Sequence, residues 1–216
     1  AATHWEGLLK TTDAGATWQL LGFPKTHLNA VILPPRDSRL LFIGADSGLF
    51  RSDDAGGTFA KVGGNLPTAP VLGLAVSAKD PNVVYVALGE QGIWRSTDGG
   101  RTFERRMNGI PDWCAGKRWV RLCLSPANPD YLYADATEAG GPFPFWSHDG
   151  GATWHPVEQR EDGFLGSGVY WAEGLVAHPT DPNVAFHLYP VRKTADGGRT
   201  WQYSGDGVSG CRRGTR

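Results

Sequence analysis

Five aspartates stand at matched positions in this chain, each inside a short segment of one type. Residues 11–18 read TTDAGATW, 52–59 SDDAGGTF, 96–103 STDGGRTF, 147–154 SHDGGATW and 194–201 TADGGRTW. Repeated carboxylates at Asp13, Asp54, Asp98, Asp149 and Asp196 invite a cation site or acid–base work. A calcium loop, however, needs oxygen ligands at alternate positions and a distal Glu, and none of the five segments supplies them. The shared pattern is Ser/Thr, any residue, Asp, any, Gly, any, Thr, then Trp or Phe. Ser/Thr and Asp side chains bond back onto nearby backbone N–H groups, and the Gly gives positive φ where the chain reverses. The five aspartates therefore read as structural.

A second set of residues has the chemistry of recognition. Asp112 and Trp113 lie in the segment 107–117 (MNGIPDWCAGK), and Glu161, Asp162 and Tyr170 in 158–170 (EQREDGFLGSGVY). Glu90 and Asp135 add carboxylates elsewhere, as do Asp46 and Glu138. Flat aromatic faces beside acceptors suit the hydroxyls of a sugar or the groups of a peptide. Two such acids facing across a sugar, roughly 5–9.5 Å apart, would also suit glycoside hydrolysis. Trp119 and Trp171 read as core instead. Arg118, Arg121 and Arg192 form the one arginine group of note, and the six histidines are scattered without metal-ligand spacing, as surface or turn residues. No phosphate loop or nucleophile elbow occurs. No metal and no cofactor is expected.

These residues need a scaffold, and the repeats supply one. Successive box aspartates are 41, 44, 51 and 47 residues apart, a period that fits a four-stranded propeller blade. The second repeat shows the plan: strands over 28–33, 40–44, 48–51 and 58–62. The third repeats it over 71–76, 83–87, 92–95 and 102–106. The fourth has 118–124, 131–135 and 143–147, and the fifth 171–177, 184–188 and 191–194. Pro-rich turns at 78–82, 125–130 and 178–183 join first to second strands. In such blades the boxes and these turns share one face. The opposite face receives Asp46, Glu90, the stretch from Asp135 onward, Tyr189 and the two long blade-to-blade loops, where binding usually resides.

Composition narrows the partners. The 216 residues hold 30 Gly, 15 Pro and 9 Trp with a net charge of −1. That fits short strands and tight turns, gives no basic field for nucleic acid, and leaves no apolar run long enough to span a membrane. Three cysteines, Cys114, Cys123 and Cys211, leave open either a Cys114–Cys123 disulfide or three reduced thiols.

The box pattern resembles the Asp-box, or BNR repeat, of β-propeller proteins over essentially the whole chain. The resemblance implies an all-β propeller of four-stranded antiparallel blades, with each box joining the third and fourth strands at the periphery. About five Asp-box blades are visible as parts of a larger propeller, at approximately 1–22 (partial), 23–64, 65–108, 109–158 and 159–204. The phrase Asp-Pro-Asn-Val, followed by GIWRSTDGG, looks most like the xyloglucanase and sortilin-like branch. In xyloglucanases the active site lies between two propellers with an acid from each, and no Arg-Thr-Asp-Ile-Gly-Gly-like segment here carries over a catalytic residue. No Arg-Ile-Pro segment of the sialidase type occurs either. The leading expectation is a secreted, periplasmic or otherwise extracytoplasmic module that binds a glycan or protein partner, or joins a larger assembly, through its long-loop face. The alternative is a fragment of a xyloglucanase-type glycoside hydrolase or, further off, a sialidase-like one.

Overall fold

The computed structural model describes residues 6–138, 141–157, 174–188 and 191–204. Its strands follow the chain in groups. The first group is β1 (Leu8–Lys10) and β2 (Gln19–Gly22), and the second β3 (Leu28–Ile32), β4 (Leu41–Ala45), β5 (Gly48–Ser52) and β6 (Ala60–Val62). The third is β7 (Gly73–Val76), β8 (Val84–Ala87), β9 (Ile93–Ser96) and β10 (Glu104–Arg105). The fourth is β11 (Arg118–Leu124), β12 (Leu132–Glu138), β13 (Gly141–Ser147) and β14 (His155–Pro156), and the fifth β15 (Leu175–Ala177), β16 (Ala185–Leu188), β17 (Val191–Thr194) and β18 (Gln202–Tyr203). Each of the last four groups is one antiparallel sheet in which sequence neighbours pair, and β1 and β2 form a two-stranded one. This is the blade plan that the repeats predict, in an all-β chain.

Burial concentrates in the second strand of each full sheet. All of β4 and all of β8 are buried, which explains their continuous apolar sequences LFIGA and VYVA: both sheet faces are covered. The fourth strands are exposed and short. The core therefore lies in the seams between sheets, where Trp119, Trp154, Tyr85, Tyr133 and Phe42 are the largest fully buried side chains. Trp119 is core, as the sequence suggests.

The boxes fasten one sheet to the next. In all five, the residues at positions four and five have positive φ: Ala14 and Gly15, Ala55 and Gly56, Gly99 and Gly100, Gly150 and Gly151, Gly197 and Gly198. That pair turns the fourth residue inward. Its N–H donates to the end of the first-to-second strand turn in the same sheet, as in Ala55 to Arg39, Gly99 to Asn82, Gly150 to Asp130 and Gly197 to Asn183. Boxes and Pro-rich turns thus share a face. The carbonyl of the same residue accepts from the preceding sheet: Ala55 from Lys10, Gly99 from Arg51, Gly150 from the Tyr85 hydroxyl and Gly197 from His148.

Candidate functional site

The box aspartates come first, because their chemistry is the most fully specified. Asp98 Oδ1 accepts from the Thr102 N–H at 2.9 Å and the Ser96 hydroxyl at 2.7 Å, while Oδ2 accepts the Thr102 hydroxyl at 2.6 Å. Ser96 Oγ in turn accepts the N–H of Gly100 at 2.9 Å. Asp13, Asp54 and Asp196 repeat this set, and Asp149 repeats its Ser147 and Thr153 N–H bonds. With its acceptor sites taken by the turn, the carboxylate is a fastener.

These bonds favour the charged form. The Thr17 hydroxyl and N–H hold Asp13 at about 2, and the Thr58 N–H and hydroxyl hold Asp54 at about 2. The Thr102 hydroxyl and N–H lower Asp98 further. At Asp149 and Asp196 burial pushes upward, and the hydrogen bonds outweigh it to leave a net lowering. A carboxylate lowered in the folded state stabilises the fold above its unfolded pKa, and that stability is lost as pH falls through the folded value. The contribution of the boxes should be constant from pH 7 to about 4 and be lost steeply between about 4 and 2. Far-ultraviolet circular dichroism during acid titration reads this directly. A transition centred above pH 5 would contradict it.

On the opposite face, the second-to-third strand turns of the second and third groups are linked to the next sheet. The N–H of Val71 donates to Ala45 and that of Trp119 to Gly89, at 3.0 and 2.9 Å. Glu90, next to Gly89, is therefore held beside the start of β11, with an exposed side chain. Asp46 is exposed in the corresponding turn of the second group, accepting the Asn29 amide at 2.9 Å and lying 3.5 Å from His27 Nδ1. The long loop before β11 is not irregular throughout. Asp112–Ala115 forms one helical turn, α1, entered through Pro111 in extended conformation and left at Gly116. A Pro just ahead of the turn fits because the first helical N–H groups lack intrahelical acceptors.

Asp112 opens this turn and is exposed, and Cys114 is fully buried beneath it. The backbone of Trp113 lies between them in α1. Farther back, the N–H of Trp154 donates to Asn108 at 2.9 Å and its indole N–H to Arg106 at 3.0 Å, so the loop is anchored at its root to the next box. The Gly89–Trp119 bridge brings the exposed Glu90 and Arg118 near each other, and Asp112 is exposed in α1, ahead of β11. Glu161, Asp162, Tyr170 and Trp171 lie outside the described residues, as do Tyr189 and Cys211.

Asp135 is placed differently. It is 0% exposed in β12 and points into the seam with the fifth sheet, not toward the rim. Its Oδ2 lies 3.2 Å from Arg121 Nη1 and 3.0 Å from His187 Nε2. Its Oδ1 has no hydrogen-bond partner among the described residues. The sequence reading ends the strand at Asp135, whereas β12 runs on to Glu138 with Glu138 opposite Gly141. That extension carries Asp135 to mid-strand. His187 corrects a second expectation, since it is a buried seam residue and no surface histidine.

His148, half-buried, is also part of the architecture: it stacks on Tyr131 at 4.0 Å, and burial lowers its pKa. The arrangement of Arg121, Asp135 and His187 is one that sequence spacing could not reveal, although Arg121 and Arg192 were both singled out by it. No disulfide joins Cys114 to Cys123. Burial raises Cys123 to about 11, with the Ala177 N–H donating to its sulfur at 3.0 Å. Among the described residues no cluster of three His, Cys, Asp or Glu could hold a metal ion. Among the described residues no helix is long and apolar enough to cross a membrane.

Comparison with known proteins agrees with this architecture. Residues 145–156, spanning the fourth box, match the BNR/Asp-box repeat family. The chain is 31% identical over 130 residues to a xyloglucanase of a Paenibacillus species, an alignment that takes in 44% of this chain and 13% of that protein. Among solved structures, the GH74 enzyme of Niastella koreensis superposes with a TM-score of 0.72 at 18% identity, over 93% of this chain and 35% of the other. The GH74 xyloglucanase of Xanthomonas campestris gives 0.68 at 20% identity, over 90% and 33%. At those identities the structures speak for the fold alone. The chain spans about an eighth of the curated relative and about a third of each solved chain. The chain folds as Asp-box blades of the β-propeller type and resembles the xyloglucanase-like branch.

Proposed function

We propose that this chain of Asp-box blades forms one wall of a polysaccharide-binding cleft in a glycoside hydrolase of the xyloglucanase type, acting outside the cytoplasm. The observation that carries the reading is the 31% identity over 130 residues to a xyloglucanase, which exceeds what the shared fold alone accounts for in the structural neighbours. The geometry is compatible. Boxes and Pro-rich turns occupy one face, leaving Glu90, Asp112, Arg118 and the α1 turn on the other, where exposed acids could accept hydroxyl hydrogen bonds.

Hydrolysis of a glycosidic bond needs one carboxyl group to protonate the leaving oxygen and a second to activate water or attack the sugar. Among the described residues, Glu90 and Asp112 are exposed acids of this face that fasten no turn, in contrast to the box aspartates and Asp135. The role proposed for them is to hold the glycan. No bond-breaking role is assigned to either.

Electrophoresis of the 216-residue chain through gels containing xyloglucan tests the reading. Retardation relative to a polymer-free gel is expected, weakened about tenfold or more by Asp112→Ala or Glu90→Ala, the loss of one or more good hydrogen bonds. Unretarded migration of a correctly folded chain would overturn it.

A further inference from the structure

On the face opposite the boxes, the seam between the second and third sheets leaves a cavity of about 50 Å³. It lies between the turn from β4 to β5, the connection from β6 to β7 and the residue that follows β8. Its floor is Leu49, Val71 and Leu88, all 0–1% exposed. Leu66 and Ala69, from the connection, form a wall and pack on the same apolar cluster. Leu88 stands two residues ahead of Glu90 in the chain, so the cavity belongs to the face on which that exposed carboxylate lies.

The mouth is polar where the floor is apolar. Ser47, Lys61 and Thr68 are its exposed lining residues. Lys61 lies across the turn because residue 48 is a glycine: a Cβ there would stand 3.0 Å from Lys61 Cε and 3.5 Å from Nζ. The aliphatic stem thus covers the backbone while the charge stays at the opening. Among the described residues this ammonium has no acidic partner.

Size and chemistry together select the occupant. A single water needs about 10–15 Å³ of such space, so the cavity takes a group of about three to five non-hydrogen atoms. A sugar ring is too large. A purely alkyl group would leave the donors of the mouth idle, and a polar group at the floor would be buried without a partner. A short acyl group satisfies both ends, its methyl against Leu49, Val71 and Leu88 and its carbonyl oxygen accepting from Lys61 or from the Ser47 and Thr68 hydroxyls. We infer that this cavity receives the O-acetyl ester of a substituted sugar, so that the chain distinguishes acetylated from unsubstituted glycan. The sugar as carrier rests on the polysaccharide-binding reading above, and the acyl group rests on the cavity.

The probe is 6-O-acetylglucose, with glucose as its control, added to the intact 216-residue chain and followed by saturation-transfer nuclear magnetic resonance. Saturation is expected to reach the acetyl methyl protons more strongly than the ring protons. Ala69→Leu, which fills the cavity, should abolish the methyl signal. Lys61→Met, an exposed change that keeps an unbranched stem and removes the charge, should weaken it about threefold or more, the loss of one charge-assisted hydrogen bond, and it keeps the test decisive if the leucine variant does not fold. No saturation, saturation of the ring protons alone, or a methyl signal unchanged by Lys61→Met would overturn the site. Sodium acetate that displaces the probe at equal concentration would overturn the ester in favour of a free carboxylate. Retardation in gels of unmodified xyloglucan is a separate readout: a chain that migrates freely there and still shows the methyl signal loses the hydrolase reading and keeps the acyl site.

Discussion

Replacing Asp135 by Ala should lower the unfolding free energy by about 3–5 kcal/mol, the range for removing one partner of a buried ion pair. The carboxylate is 0% exposed, and the side chains of Arg121 and His187 are 15% and 1% exposed, all at the seam between the fourth and fifth sheets. Removing the acid takes a fully buried carboxylate away from Arg121 and His187, and the desolvation of their polar groups, more than any lost attraction, sets the size of the effect. Urea denaturation would show it as a lower midpoint. The partner variant His187→Phe, which removes a polar group in favour of an apolar ring, should cost less, and in a double-mutant cycle the two changes should be strongly non-additive. A loss below about 1 kcal/mol, the level of an exposed pair, would return Asp135 to the rim with Glu90 and Asp112. In that case glycan affinity, and not stability, should respond to its removal.

Asp135 also shows where sequence reasoning stops. The boxes were legible because a turn motif repeated five times fixes spacing, blade plan and the sharing of one face with the Pro-rich turns. The second strands β4 and β8 were legible because burial on both faces makes them continuously apolar. The seam charges were not. Whether an acid near the end of a strand faces water or a neighbouring sheet depends on two or three residues of strand length, and β12 extends through Ala-Thr-Glu, which carries no strong strand signal. His187 was hidden for a related reason, since its partner is 52 residues away in another sheet. The left-handed residues at position four were hidden differently: Ala14 and Ala55 take φ of 57° and 59° where glycine would be expected. There the rest of the box, with its Asp and hydroxyl bonds, overrides the preference of the side chain. The helical turn at Asp112–Ala115 is too short for any periodicity to register.

Gly198→Ala is expected to be the other severe substitution, destabilising by roughly 2–5 kcal/mol from overpacking and left-handed strain together. The residue has φ of 96°, and an added Cβ would meet Trp146 Cβ at 2.7 Å and the Tyr133 ring at 2.9 Å. Neither neighbour can yield easily. Tyr133 is held by its hydroxyl donating to the Pro182 carbonyl at 2.6 Å, and Trp146 is stacked on His155 at 4.3 Å and capped by Arg199. Gly15, at the same position of the first box, has only the tip of Trp18 within 4 Å, although its φ is 95°. Gly15→Ala therefore meets the backbone cost without the collision, and should destabilise by only about 1–2 kcal/mol. The difference between the two variants, measured by urea denaturation, isolates the contribution of box-to-aromatic packing at a covered seam. Equal losses would mean that the second glycine serves the turn alone.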